Sequence, residues 1–163
     1  MSKSGTNSAS ASIFMWWQRL GHFPSGRWLF SKMLGRMAPY SGSIGARIEK
    51  IEAGHAEVCL QDRKRVRNHL NSIHAIALVN LGEISTGLAV LSAIGEDMRG
   101  ILLEINAEYL KKARGRLTAV ANFQIPEKFE DRSRHVVIAT ITDQAGETVT
   151  LVKATWQIGY TPK

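Results

Sequence analysis

The chain has 163 residues, 44% of them hydrophobic and 21% charged, the size and composition of one globular domain with a substantial core. Its formal net charge of +7 implies an anionic partner: nucleic acid, an acidic membrane surface or a phosphorylated small molecule. A single cysteine, Cys59, excludes an intrachain disulfide and a Cys-based zinc site, and fits a reducing, cytoplasmic setting.

Residues 1–12 are mostly Ser, Asn, Gly and Ala, so they read as a disordered leader. Residues 13–40 read as an N-terminal helical extension of two helices, broken at Gly21-His22-Phe23-Pro24-Ser25-Gly26. Arg19 cuts the apolar run at Ile13–Trp17 too short for a signal-peptide core. In the second helix Trp28, Leu29, Lys32, Met33 and Arg36 form an apolar stripe edged with cations. Packing on the domain is one reading of residues 13–37. The other is an interfacial helix whose Trp residues and cations meet lipid headgroups, as a peripheral membrane contact, or roof an acyl-chain channel.

Residues 41–163 form the main domain, entered through a linker at Ala38–Gly42. Ile44, Ala46, Ile48 and Ile51 predict a strand. After the turn Glu52–His55, Ala56, Val58 and Leu60 alternate with polar residues as a second strand. The basic run Asp62-Arg63-Lys64-Arg65-Val66-Arg67 follows, a solvated loop, a phosphate site or a nuclear or nucleic-acid signal.

Asn68 to Gly95 then reads as a long buried helix carrying one carboxylate, Glu83. It is long enough to cross a bilayer. Glu83 would then lie near mid-membrane at a cost of roughly 3 kcal/mol, with His74 and Asn80 added, so a core helix is expected. Asn71 or Ser72 is positioned to cap it. Four strands complete the chain: Ile101–Ala107 and Leu117–Phe123, then a hairpin from His135 to Ile158 turning at Asp143–Gly146. Antiparallel strands covering one helix make an α+β domain, and an open sheet edge or helix face calls for a second copy.

On the helix Ala75, Val79, Glu83, Thr86, Gly87 and Val90 share a face, which raises the carboxyl pKa by burial. Glu83 is then either a structural acid paired with a cation or a group that activates water. The free N–H groups near His74, Ala75 and Ile76 form a terminus able to polarise a carbonyl, with Asn68 and His74 as neighbouring hydrogen-bonding groups. His69 and His74 lack further ligands at a usual metal spacing, so no metal is expected. Neither a nucleophile elbow nor a Gly-rich phosphate loop is present.

The pattern Arg67-Asn68, His74-Ala75, Glu83 and Gly87, followed by Tyr109 to Gly115, resembles the hotdog-fold thioesterases of the phenylacetic-acid-degradation type. In that family an Asn stands six residues before a His-Gly, and an acid nine after the His, which is the spacing of Asn68, His74 and Glu83. It is most similar to a hotdog branch of unknown function that carries His-Ala. The resemblance implies a curved antiparallel sheet of about six strands wrapped around the central helix, with the two N-terminal helices as an addition. It implies a homodimer, with further pairing to a tetramer open, and active sites at the subunit interface.

The implied substrate is an acyl-coenzyme A, with no separate cofactor. By that analogy the Ala75 N–H polarises the thioester carbonyl, Glu83 from the facing subunit activates water or attacks, and Asn68 and His74 orient the reactants. Gly87 would line the substrate slot. Two clusters could bind the coenzyme A phosphates: Arg63, Lys64, Arg65 and Arg67, or Lys111, Lys112, Arg114 and Arg116. The alternative is a hotdog module that binds an acyl chain or acyl-CoA without turnover. Nucleic acid rests on net charge alone, with no recognised module.

Overall fold

The computed structural model describes residues 9–162. Three helices lead the chain: α1 (Ala9–Leu20), α2 (Pro24–Met37) and the single turn α3 (Pro39–Gly42). Helix α1 begins inside the stretch expected to be a leader, whose residues 1–8 lie outside the described residues. The expected linker Ala38–Gly42 is mostly α3, because Pro39 starts a turn that needs no N–H there. Pro24 plays the same part in α2, and the break between α1 and α2 falls where it was expected.

The extension belongs to the core. Phe30 is fully buried, and Trp17 meets it edge-on with ring centroids 5.2 Å apart. The Trp17 indole N–H donates to the Ile51 carbonyl at 2.9 Å, and Ser31 Oγ accepts from the Ile48 N–H at 3.0 Å. A fully buried Phe contributes up to roughly 3 kcal/mol, so detaching these helices would expose a large part of the hydrophobic core. Their outward faces are another matter, taken up below.

Six strands follow: β1 (Arg47–Glu52), β2 (His55–Leu60), β3 (Met98–Tyr109), β4 (Leu117–Asn122), β5 (Ser133–Thr142) and β6 (Thr148–Tyr160). They form one antiparallel sheet in the order β1-β2-β4-β5-β6-β3. The period-two residues expected to face inward on β2, β4, β5 and β6 do so, with Val58, Ala119, Val137 and Val152 almost or fully buried. Strand β3 departs from that pattern. A register shift between Leu102 and Glu104 breaks the alternation, turning Leu102 inward opposite Trp156 and leaving Ile101 and Leu103 exposed. Because β3 is an end strand, its outer edge has no neighbour among the described residues.

The long helix α4 (Ala75–Ala93) packs against all six strands. By length and apolarity it would pass for a membrane span, but most of it is buried under the sheet. Gly82 is what lets it approach. A side chain there would meet Val152 within 2.4–2.6 Å, so only glycine allows α4 to lie this close to β6. The helix starts later than the stretch expected from hydrophobicity: Asn68–Ile73 is an ordered loop, with Arg67 bridged to Ile73 and Asn71 in a left-handed conformation. The cap is accordingly His74 and not Asn71 or Ser72.

Candidate active site

Three segments converge on the start of α4. The Ile73 N–H donates to the Ala113 carbonyl at 2.8 Å, and the His74 N–H donates to the Val66 carbonyl at 2.8 Å. The Gly115 N–H donates to Asp62 Oδ2 at 3.0 Å, and Arg67 Nε to Asp62 Oδ1 at 2.6 Å. That guanidinium holds the Asp62 carboxyl below the usual range. The Tyr109 hydroxyl donates to the Ala75 carbonyl at 3.2 Å, tying β3 to the helix start.

The helix terminus has a simple donor balance. The Ile76 N–H donates to His74 Nδ1 at 3.1 Å, which requires Nδ1 to be the unprotonated nitrogen. Ala77 and Leu78 N–H both donate to the His74 carbonyl. Among the described residues no acceptor takes the Ala75 N–H, which leaves it as the open donor at the positive end of the helix dipole. Asn68 Oδ1 accepts from Leu70 N (2.9 Å), Ser72 N (3.3 Å) and Ser72 Oγ (3.2 Å). Asn68 thus shapes the loop that delivers the terminus, and its carbonyl is committed there.

Glu83 lies on the side of α4 covered by α3. Ser41 Oγ donates to Glu83 Oε2 at 3.3 Å, and Asn80 Nδ2 donates to the Tyr40 carbonyl at 3.2 Å, fastening α3 over this face. Burial pushes the Glu83 carboxyl up, and the Ser41 bond offsets part of that. Among the described residues no Lys or Arg pairs with it. Glu83 and Ala75 are eight residues apart on one helix, about 12 Å at 1.5 Å per residue, so within one chain they cannot act on the same carbonyl.

A cleft of about 510 Å³ opens between α2, α3, β1 and the basic run, with Ser41 and Ile84 at the Glu83 end. Leu34, Ala46 and Ile48 give it apolar walls, and Arg36, Arg47, Arg63 and Arg65 line it with cations. A second cleft of about 380 Å³ lies at the helix start, lined by Arg65, Arg67, His74 and Asn80. Arg65 borders both.

The structure separates the two basic clusters. Arg63 Nη2 donates to the Ile44 (2.8 Å) and Gly45 (3.0 Å) carbonyls, and Arg65 to that of Ser43, which holds both guanidinium groups at the clefts. Lys64 is exposed on a 3-10 turn, Lys64–Val66, and faces neither cleft. In the other cluster Lys111 is bound by Asp143 (2.7 Å) and Glu147, and Arg116 by Glu49 (3.3 Å) and the buried Cys59 thiol (2.8 Å). Lys112 and Arg114 are exposed and line neither cleft.

Gly87 is buried against the Trp156 indole, where an added Cβ would sit 3.3 Å from the ring, and it borders neither cleft of the single chain. Two further residues reach this region without a local sequence signal of their own: Ser41 lies in a stretch with no periodicity, and the Tyr109 hydroxyl belongs to the motif Tyr109 to Gly115.

The family described as Domain of unknown function (DUF4442) matches residues 26–158. Among curated proteins no match is found. Among solved structures the chain is similar to the genomics target APC5556, at 28% identity over 94% of this chain and 100% of that one, with a TM-score of 0.80. It is also similar to a thioesterase from Haemophilus influenzae (20% identity, 80% and 90% covered, TM-score 0.68). A thioesterase family protein from Silicibacter pomeroyi is a third (21% identity, 80% and 96% covered, TM-score 0.67). At those two identities the likeness is one of fold, and the fold is the hotdog, here preceded by α1, α2 and α3.

Proposed function

We propose that this chain, which belongs to the DUF4442 family, hydrolyses an acyl-CoA thioester at a site made by two copies of itself. The observation that carries the reading is the separation of Glu83 from the open Ala75 N–H. A half-buried carboxylate with a raised pKa and no cation beside it among the described residues, and an oxyanion donor, are both present, but about 12 Å apart on one helix. A second copy related by a two-fold axis would set its helix start beside the first copy's Glu83. The open β3 edge offers the sheet pairing that such a dimer needs.

In that site ionised Glu83 takes a proton from water as its oxygen attacks the thioester carbonyl carbon. The oxyanion is held by the Ala75 N–H of the facing copy. Collapse of the adduct breaks the carbon–sulfur bond, and the coenzyme A thiolate leaves and is protonated, giving the carboxylic acid and the free thiol. His74 positions the terminus as its cap, and Arg63 and Arg65 supply cations for the nucleotide phosphates.

Measuring free thiol release across acyl-CoA chain lengths tests this, with Glu83→Ala as the control. A wild type no faster than Glu83→Ala on every thioester sinks it.

A second reading draws on α3, whose Ser41 closes over Glu83. There the chain holds an acyl group without turning it over. Acyl-CoA binding that is unchanged in Glu83→Gln, with no thiol released, is its signature.

A further inference from the structure

The charge of the chain is unevenly placed. The first 48 residues hold six Lys and Arg and not one Asp or Glu, whereas the rest holds fifteen basic against fourteen acidic. Nearly all of the net +7 therefore sits in the N-terminal extension and the start of β1. The same segment carries the most exposed apolar surface: Met15, Trp16, Phe23, Trp28, Leu29 and Met37 are all open to solvent, Phe23 at 65% and Trp28 at 56%. Trp17 and Phe30 of the same helices are in the core, whereas among the described residues these side chains stay open to solvent.

Three of these residues share one groove, and Trp28 stands next to Leu29 on the same helix. Trp16 and Leu20 from α1 face Leu29, Met33 and Met37 from α2 across a shallow apolar groove, with Arg36 at its rim. The Arg19 guanidinium lies 5.8 Å from the Trp16 ring centroid, and the Lys32 ammonium 5.9 Å from that of Trp28. Aromatic rings with cations alongside, and no acid among them, are what the boundary between anionic headgroups and acyl chains accepts. From this arrangement we infer that α1 and α2 dock the protein on an anionic lipid surface, with Trp16, Phe23, Trp28 and Leu29 inserted and Arg19, Lys32 and Arg36 at the phosphates.

A second copy of this chain is a poor occupant of the same face, since each copy would bring the same unpaired positive charge against the other. It has a better place at the other end of the sheet. There the open β3 edge offers unpaired backbone groups beside apolar Ile101 and Leu103, whereas β1 at the near end is covered by α2. Trp28, Lys32 and Arg36 also line the 510 Å³ cleft, so docking on α2 brings the mouth of that cleft to the lipid.

Flotation of the full chain with vesicles tests the inference, using phosphatidylcholine alone and phosphatidylcholine containing phosphatidylglycerol. Binding to the anionic vesicles is expected at low salt, with a blue shift of Trp emission and release at high salt. Lys32→Gln with Arg36→Gln should lower the affinity about 25-fold, roughly fivefold per cation. Trp28→Ser with Leu29→Ser should abolish the blue shift, while far-UV spectra and melting show that the fold is kept.

No flotation with anionic vesicles, or flotation unchanged in both double variants, overturns the inference. An oligomer that Trp28→Ser with Leu29→Ser dissolves also overturns it, by making this face a protein interface. Glu83→Ala should float like the wild type, so the result does not depend on thioester hydrolysis.

Discussion

The Ser41 hydroxyl donates to Glu83 Oε2 at 3.3 Å, so a residue of the short helix α3 holds the carboxylate of the core helix. Burial favours the neutral acid there, and this bond favours the carboxylate. General-base catalysis needs the ionised form, so activity should rise with pH as Glu83 loses its proton, above the ordinary Glu value of about 4.3. Ser41→Ala should move that acidic limb of kcat/KM to higher pH still. A limb that stays in place would mean that Glu83 does not sense the hydroxyl.

Glu83→Gln should separate activity from stability. Hydrolysis should fall on the order of 10² to 10⁴, the usual contribution of a positioned base. Stability should move the other way. With the folded pKa raised above the unfolded one, the native state holds its proton longer, so wild-type stability falls as pH rises between the two values and stays lowered above them. The variant should therefore melt higher than wild type at neutral pH, and no higher below the unfolded pKa. Thermal melts at both ends of that window check the sign.

The two basic clusters should differ in their effect on KM. Arg65 borders both clefts, whereas Lys111 is already engaged by Asp143 and Glu147. Losing a charge-assisted contact to phosphate costs about 1.5–3 kcal/mol, so Arg65→Gln should raise KM for an acyl-CoA roughly 10- to 100-fold. Lys111→Gln should leave it unchanged. With an acyl-pantetheine, which lacks the nucleotide, the Arg65 effect should vanish.

Ile101 and Leu103 are exposed on the open edge strand β3. Ile101→Lys with Leu103→Lys places two charges where a second copy would pair. Light scattering should report a monomer, and hydrolysis should be lost with the dimer although Glu83 and Ala75 are untouched. Full activity in a monomer would refute the shared site.

What could be read from the residues follows from local rules. The apolar run after Ala75 becomes α4, and the period-two runs become β2, β4, β5 and β6, because each must bury one face against the other. The spacing of Asn68, His74 and Glu83 placed a helix terminus and a carboxylate on one element, which is where the structure has them. Local rules also misled. Asn71 and Ser72 are better cap residues by type than His74, but the Arg67–Ile73 bridge and the Asn68 turn hold them outside the helix. On β3 the shift at Leu102–Glu104 turned Leu102 inward in place of Ile101 and Leu103, while Ile105 and Ala107 still pack against the core.

By itself, then, the sequence determined the α+β layout, the buried helix with its single acid, and the basic, Trp-rich extension. Only the tertiary structure decided that Ser41 of α3 covers Glu83, that Gly87 yields to Trp156, and that Arg63 and Arg65, not Lys111, face the clefts. The physical reason is range. Periodicity and charge are properties of neighbours along the chain, whereas the surroundings of a carboxylate are set by residues such as Ser41, more than forty positions away, that only the folded sheet brings beside it.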